Sequence, residues 1–271
     1  MITTLLTASE VMSMMGDPNV IVLDATFGKT AYPDYCFEHL IGAQWIDLNS
    51  QLSEIGPEPS KGGRHPLPSV SSFATVLGEL GVGVDSKVIV YDKHSGALAA
   101  ARCWWMLHAI GHPQTWVVDG GFQALKQAGA PTDSEIIKPR ALPPYPSSEW
   151  KLPTKTMTEI EGLDPNDSTL VDVRESERYQ GIREPIDLTA GHIPNAVNIP
   201  FSHNLNADGS FKTREELKKI YADVLRMDKN VIFYCGSGVT ACHGILGLAH
   251  ASNKMAALYP GSWSEWSRNP H

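Results

Sequence analysis

One series of landmarks runs along this chain twice, and that duplication limits the folds open to it more than any other feature. Thr169-Leu170-Val171-Asp172 follows the pattern of Val20-Ile21-Val22-Leu23-Asp24, with the two aspartates 148 positions apart. His192-Ile193-Pro194-Asn195-Ala196 answers His39-Leu40-Ile41-Gly42-Ala43 at a distance of 153. Tyr234-Cys235 answers Tyr91-Asp92 at 143, and Gly261-Ser262-Trp263 answers Gly120-Gly121-Phe122 at 141. Spacings that drift so little describe one domain copied, with small insertions and deletions. Within the copies, apolar strands such as Val88-Ile89-Val90-Tyr91 and Asn230-Val231-Ile232-Phe233-Tyr234 alternate with helical runs over 71–80, 97–110 and 241–251. Strands apolar along their whole length are covered on both faces. The expected fold is therefore α/β: two tandem domains, each a parallel sheet flanked by helices. Dense proline between Pro131 and Pro153 can continue neither sheet nor helix and marks a surface linker. The expected division is 1–135, a linker over 136–154, and 155–271.

The copies differ where it matters chemically. The strand 230–234 runs into Cys235-Gly236-Ser237-Gly238-Val239-Thr240-Ala241, and a helix leaves it. A lone cysteine after a strand is ordinarily a packed apolar side chain. A cysteine between a buried strand, a glycine-rich loop and a helix N-terminus is presented as a nucleophile. The amides of Gly236, Ser237, Gly238, Val239 and Thr240 can converge on one anion, and the helix start adds partial positive charge that favours the thiolate. The first copy carries Asp92 at this point, so the chemistry belongs to the second copy. The first copy then supplies a wall of the cleft, since ligand sites favour domain interfaces.

Charge and cysteine usage exclude several classes. The 271 residues carry a formal charge of −8, which suggests no nucleic-acid partner. The four cysteines (36, 103, 235, 242) have neither disulfide-framework nor zinc spacing, so no metal is expected and a reducing, cytoplasmic setting fits. Met1-Ile2-Thr3-Thr4-Leu5-Leu6 lacks a basic n-region, which argues against a signal peptide, and no apolar run is long enough for a membrane.

The Cys235–Ala241 loop resembles the active-site loop of the tandem rhodanese-type sulfurtransferases, in the form found in mercaptopyruvate sulfurtransferases. Gly191-His192-Ile193-Pro194-Asn195-Ala196 and the run from Ala256 to Trp266 match two further signatures of that family, in its order and spacing. The thiosulfate-using form carries Arg and Lys where this chain has Gly236 and Ser237. The resemblance implies sulfur transfer from 3-mercaptopyruvate through a Cys235 persulfide to a thiophilic acceptor: cyanide, small thiols or thioredoxin. It implies no cofactor. It assigns Ser237 to proton transfer, beside a loop role for its hydroxyl. It places Arg178 and Arg183 in the stretch that holds the substrate carboxylate, for which a planar guanidinium suits better than Lys; an Arg among glutamates is otherwise a solvated ion pair. It also matches His65, otherwise a solvated loop residue, to a catalytic histidine. The family orients that histidine with an Asp whose position here is held by Asn49, with Asp47 nearby. His39 and His192 follow a structural motif, and Arg102 is expected to be a structural ion-pair residue. Thiosulfate sulfurtransferase and a persulfide-carrier module are the alternatives. A phosphatase of the Cys-x5-Arg type is disfavoured by Ala241 at the Arg position.

Overall fold

The computed structural model describes residues 4–227 and 229–270; Met1, Ile2 and Thr3 of the N-terminal apolar run lie outside them. Thr7 caps the first helix in a reciprocal capping box with Glu10, as its Thr-x-x-Glu pattern dictates. The strands of the first half are β1 (Leu5–Leu6), β2 (Val20–Asp24), β3 (His39–Leu40), β4 (Gln44–Trp45), β5 (Lys87–Tyr91), β6 (Thr115–Val118) and β7 (Thr132–Asp133). Those of the second are β8 (Ser168–Asp172), β9 (Val197–Asn198), β10 (Asn230–Tyr234) and β11 (Ala257–Leu258). Among the described residues they form two parallel sheets, in the orders β1-β6-β5-β2-β4 and β11-β10-β8-β9, and a two-stranded antiparallel ribbon of β3 and β7.

The duplication is visible down to single hydrogen bonds. Tyr91 Oη accepts the N–H of Leu40 at 3.1 Å, and Tyr234 Oη accepts that of Ile193 at 3.1 Å. His39 stacks on Tyr35 and bonds its carbonyl through Nδ1; His192 does the same with Tyr179. Both histidines are packing and turn residues.

The two halves share one apolar core. The helix Ala99–Ala109 and the helix Thr240–Ser252 pack together between the sheets, and Trp104, Trp105, Val171, Phe233 and Cys235 belong to one buried cluster. Truncating either tryptophan to Ala would cost about 3–5 kcal/mol. The proline-rich linker is largely exposed but tied down. Its approach pairs antiparallel as β7 with β3, Leu142 N–H reaches Gly78 O at 2.8 Å, and Tyr145 N–H reaches Ala74 O at 2.9 Å. Among the described residues no helix is long and apolar enough to cross a membrane.

Candidate active site

Cys235 directly follows β10 and is 1% exposed. Its backbone is clamped by the helix Ser262–Trp266: its N–H donates to Ser262 Oγ at 3.1 Å and its carbonyl accepts from Trp263 at 3.0 Å. The next carbonyl, Gly236 O, accepts from Ser264 at 2.9 Å. Gly238 takes φ +75°, and a methyl group there would lie 2.5 Å from Pro260 O. Only glycine meets both demands without strain. Among the described residues no protein group accepts the N–H groups of Gly236, Ser237, Gly238 or Val239. Buried amides of this kind normally have partners, so the loop is a set of donors waiting for an anion.

Asp92, at the equivalent point of the first half, shows what such a loop takes. Its Oδ1 accepts the N–H groups of His94 and Gly96 at 2.8 Å, and its Oδ2 those of Leu98 and Ala100 at 3.2 Å. One copy of the loop holds a carboxylate of its own. The other presents a sulfur.

The long loop between β4 and the helix Val70–Glu79 reaches across from the first half. Gly62 N–H donates to Glu265 Oε1 at 2.7 Å and Arg64 N–H to Ser264 Oγ at 3.0 Å. This docking brings His65 Nδ1 to 2.8 Å from Ser237 Oγ. Burial, followed by the positive charges of Arg102 and Arg64, pushes the His65 imidazolium down to about 4, so the ring is neutral near pH 7. No carboxylate pairs with it among the described residues. Asn49 is exposed, and Asp47 accepts the N–H groups of Asn49 and Ser50 and the Ser50 hydroxyl.

Arg102 is not the ion-pair residue that the sequence suggests. It is fully buried and donates to three carbonyls: Gly238 at 3.1 Å, Leu52 at 3.3 Å and His65 at 3.2 Å. It ties the cysteine loop to the loop carrying His65 and sets a cation beneath both.

Arg178 stands at the mouth of the loop. Its Nε and Nη2 grip Glu184 at 3.1 and 2.7 Å, and Nη2 approaches Asp187 at 3.4 Å. A methyl group on Gly236 would lie 3.4 Å from Arg178 Nη2. Arg183 is not brought to this point: its side chain is exposed, and its backbone N–H bonds Glu177 O at 3.2 Å. Three residues at the site escape the sequence reading. Arg64 is the cation beside the candidate base, Asp187 is the buried carboxylate that gathers Arg64, Arg178 and Arg268, and Ser262 holds the Cys235 amide. Their one legible signal is the adjacency of Arg64 to His65.

The sequence pattern of the Rhodanese-like domain matches residues 7–128 and again 156–269. The chain belongs to the rhodanese family. It is a tandem-domain rhodanese-type sulfurtransferase with both domains in one polypeptide. A Pseudomonas aeruginosa protein named probable 3-mercaptopyruvate sulfurtransferase is 37% identical over 98% of this chain and 95% of its own. The thiosulfate sulfurtransferase of Rattus norvegicus is 33% identical over 99% of this chain and 92% of its own. A 3-mercaptopyruvate sulfurtransferase structure from Leishmania major superposes with a TM-score of 0.86 at 30% identity, covering 98% of this chain and 74% of that one. In this rhodanese chain the second domain therefore carries the cysteine, and the first contributes His65 and Arg102.

Proposed function

We propose that the chain takes sulfur from 3-mercaptopyruvate, stores it on Cys235 and passes it to a thiophilic acceptor. The observation that carries this reading is the Cys235 loop itself: buried donors without protein acceptors surround the cysteine, and no side chain of the loop is cationic. The Cys235 thiolate attacks the sulfur of 3-mercaptopyruvate, forming an S–S bond as the C–S bond breaks. The electron pair leaves on the methylene carbon as the pyruvate enolate. The proton of the donor thiol ends on that carbon, giving pyruvate and a Cys235 persulfide anion. Ser237, hydrogen-bonded to a neutral His65, is the group that carries this proton. The persulfide anion lies among the loop amides, as the Asp92 carboxylate lies among its own. Attack by cyanide or a thiolate on the outer sulfur then restores the Cys235 thiolate.

Arg178 holds the donor carboxylate. The four free cysteines suit a reducing, cytoplasmic setting, in which small thiols or reduced thioredoxin serve as acceptor. Thiosulfate is the rival donor, given the rat relative. Steady-state kinetics with the two donors side by side separates them. The expected result is a kcat/KM for 3-mercaptopyruvate at least about tenfold higher; equal or reversed preference would move the chain to the thiosulfate class.

A further inference from the structure

We propose that Arg64, from the first domain, is the second guanidinium of the donor site, completing with Arg178 a carboxylate clamp built across the domain interface. Its ligand assignment rests on the 3-mercaptopyruvate reading above. Its geometry does not.

A methyl group placed on Gly236, the residue beside the nucleophile, would lie 3.1 Å from Arg64 Nη2 and 3.6 Å from Arg178 Nη1. Both side chains keep some access to solvent, 22% and 18%. The buried Asp187 pins one nitrogen of each: Arg64 Nη1 on Oδ1, and Arg178 Nη2 on Oδ2 at 3.4 Å. Glu184 takes the remaining bonds of Arg178, through Nε and Nη2. Among the described residues no protein acceptor meets Arg64 Nη2 or Arg178 Nη1. Two free N–H edges therefore converge on one point next to Cys235. The fork geometry of guanidinium suits a carboxylate there.

The charges select the ligand. The connected cluster holds four cations (Arg64, Arg174, Arg178, Arg268) and three carboxylates (Asp172, Glu184, Asp187). One positive charge is left over, which matches a monocarboxylate such as a 2-oxo acid. Arg64 is also held rigid. Its backbone is anchored on Ser264, and the next residue is His65. Closure of the domain interface thus sets the clamp and the proton-transfer pair together.

The test compares Arg64→Ala, Arg64→Lys and Lys61→Ala in the full chain. Lys61 lies on the same loop as Arg64 but is 80% exposed and pairs with Glu58. Arg64→Ala is expected to raise the KM for 3-mercaptopyruvate by about tenfold or more, the loss of a charge-assisted contact, with a much smaller change in kcat. Arg64→Lys should recover part of this, and Lys61→Ala should leave KM within about twofold. Calorimetric binding of pyruvate to a Cys235→Ser chain, with and without Arg64→Ala, reads the clamp without any sulfur chemistry and should show the same loss. A wild-type KM and unaltered pyruvate affinity in Arg64→Ala overturn the proposal, as does an equal loss in Lys61→Ala. A wild-type chain that binds pyruvate through Arg64 but does not turn over 3-mercaptopyruvate would overturn the donor assignment and leave the clamp standing.

Discussion

Asp92 and Cys235 occupy the same point of the two repeats: each follows a strand that ends on a tyrosine whose hydroxyl accepts a backbone N–H, and each gives its carbonyl to the first turn of a later helix of its domain. Asp92 O accepts from Phe122 at 2.9 Å and Cys235 O from Trp263 at 3.0 Å. The Asp92 carboxylate is gripped by four amides. The two loops thus share an appetite for anions, and only one leaves it open to a substrate.

Replacing the nucleophile tests that equivalence. Cys235→Ser should abolish sulfur transfer, because the alcohol is not ionised near neutral pH. Cys235→Asp should be equally inactive yet fold, with a melting temperature no lower than that of Cys235→Ser, since its carboxylate can take the loop amides. Mass spectrometry of wild type after 3-mercaptopyruvate alone should find one added sulfur on the Cys235 peptide. Sulfur on Cys36, Cys103 or Cys242 instead would contradict the assignment.

Arg178 and Arg183 should behave differently. Arg178→Ala should lower kcat/KM for 3-mercaptopyruvate by about tenfold or more, and Arg178→Lys should restore only part of it. Arg183→Ala should stay within about twofold of wild type, as expected for an exposed side chain. A large loss at Arg183 would mean that the segment rearranges on binding.

The depressed basicity of buried histidines sets the acid limit. His65, His108, His243 and His250 are each pushed down to about 4, mainly by burial, against an ordinary value near 6.5. Between these values the unfolded chain binds more protons than the folded one. Stability is therefore fully present above about pH 6.5 and is lost as pH falls toward 4. Urea midpoints measured across this window should fall steadily with acid. kcat/KM should not drop at the ordinary histidine value, because His65 stays neutral there; a sharp loss centred near pH 6.5 would show that its environment is more polar than the burial implies.

Gly238→Ala tests the backbone of the loop. A positive φ and a methyl group 2.5 Å from Pro260 O should together cost at least about 1 kcal/mol, read as a lowered melting temperature, with a loss of kcat. Unchanged stability would mean that Pro260 can move away without strain.

The fold was legible in the sequence because its signals are local and doubled. Apolar strands, alternation with helices, and Tyr91-Asp92 against Tyr234-Cys235 need no knowledge of long-range contacts. Cys235 was legible for the same reason: strand, glycine loop and helix lie in one short stretch. What the sequence by itself could not determine lies where the halves meet. Arg102 looked like an ion-pair residue, because nothing local shows that a guanidinium will be spent on the carbonyls of Gly238, Leu52 and His65. Arg183 matches by position and lies exposed, whereas Arg64 carries no local signal beyond its place beside His65, and its Nη2 stands 3.1 Å from a methyl group placed on Gly236. The pairing of His65 with Ser237 spans 172 positions. Such contacts depend on how two separately encoded domains dock, through the anchoring of the 62–65 loop on Ser264 and Glu265 and the packing of helix Ala99–Ala109 on helix Thr240–Ser252. Periodicity specifies which face of an element is buried. The docking of two such faces, which no single stretch encodes, decides which charges surround the sulfur.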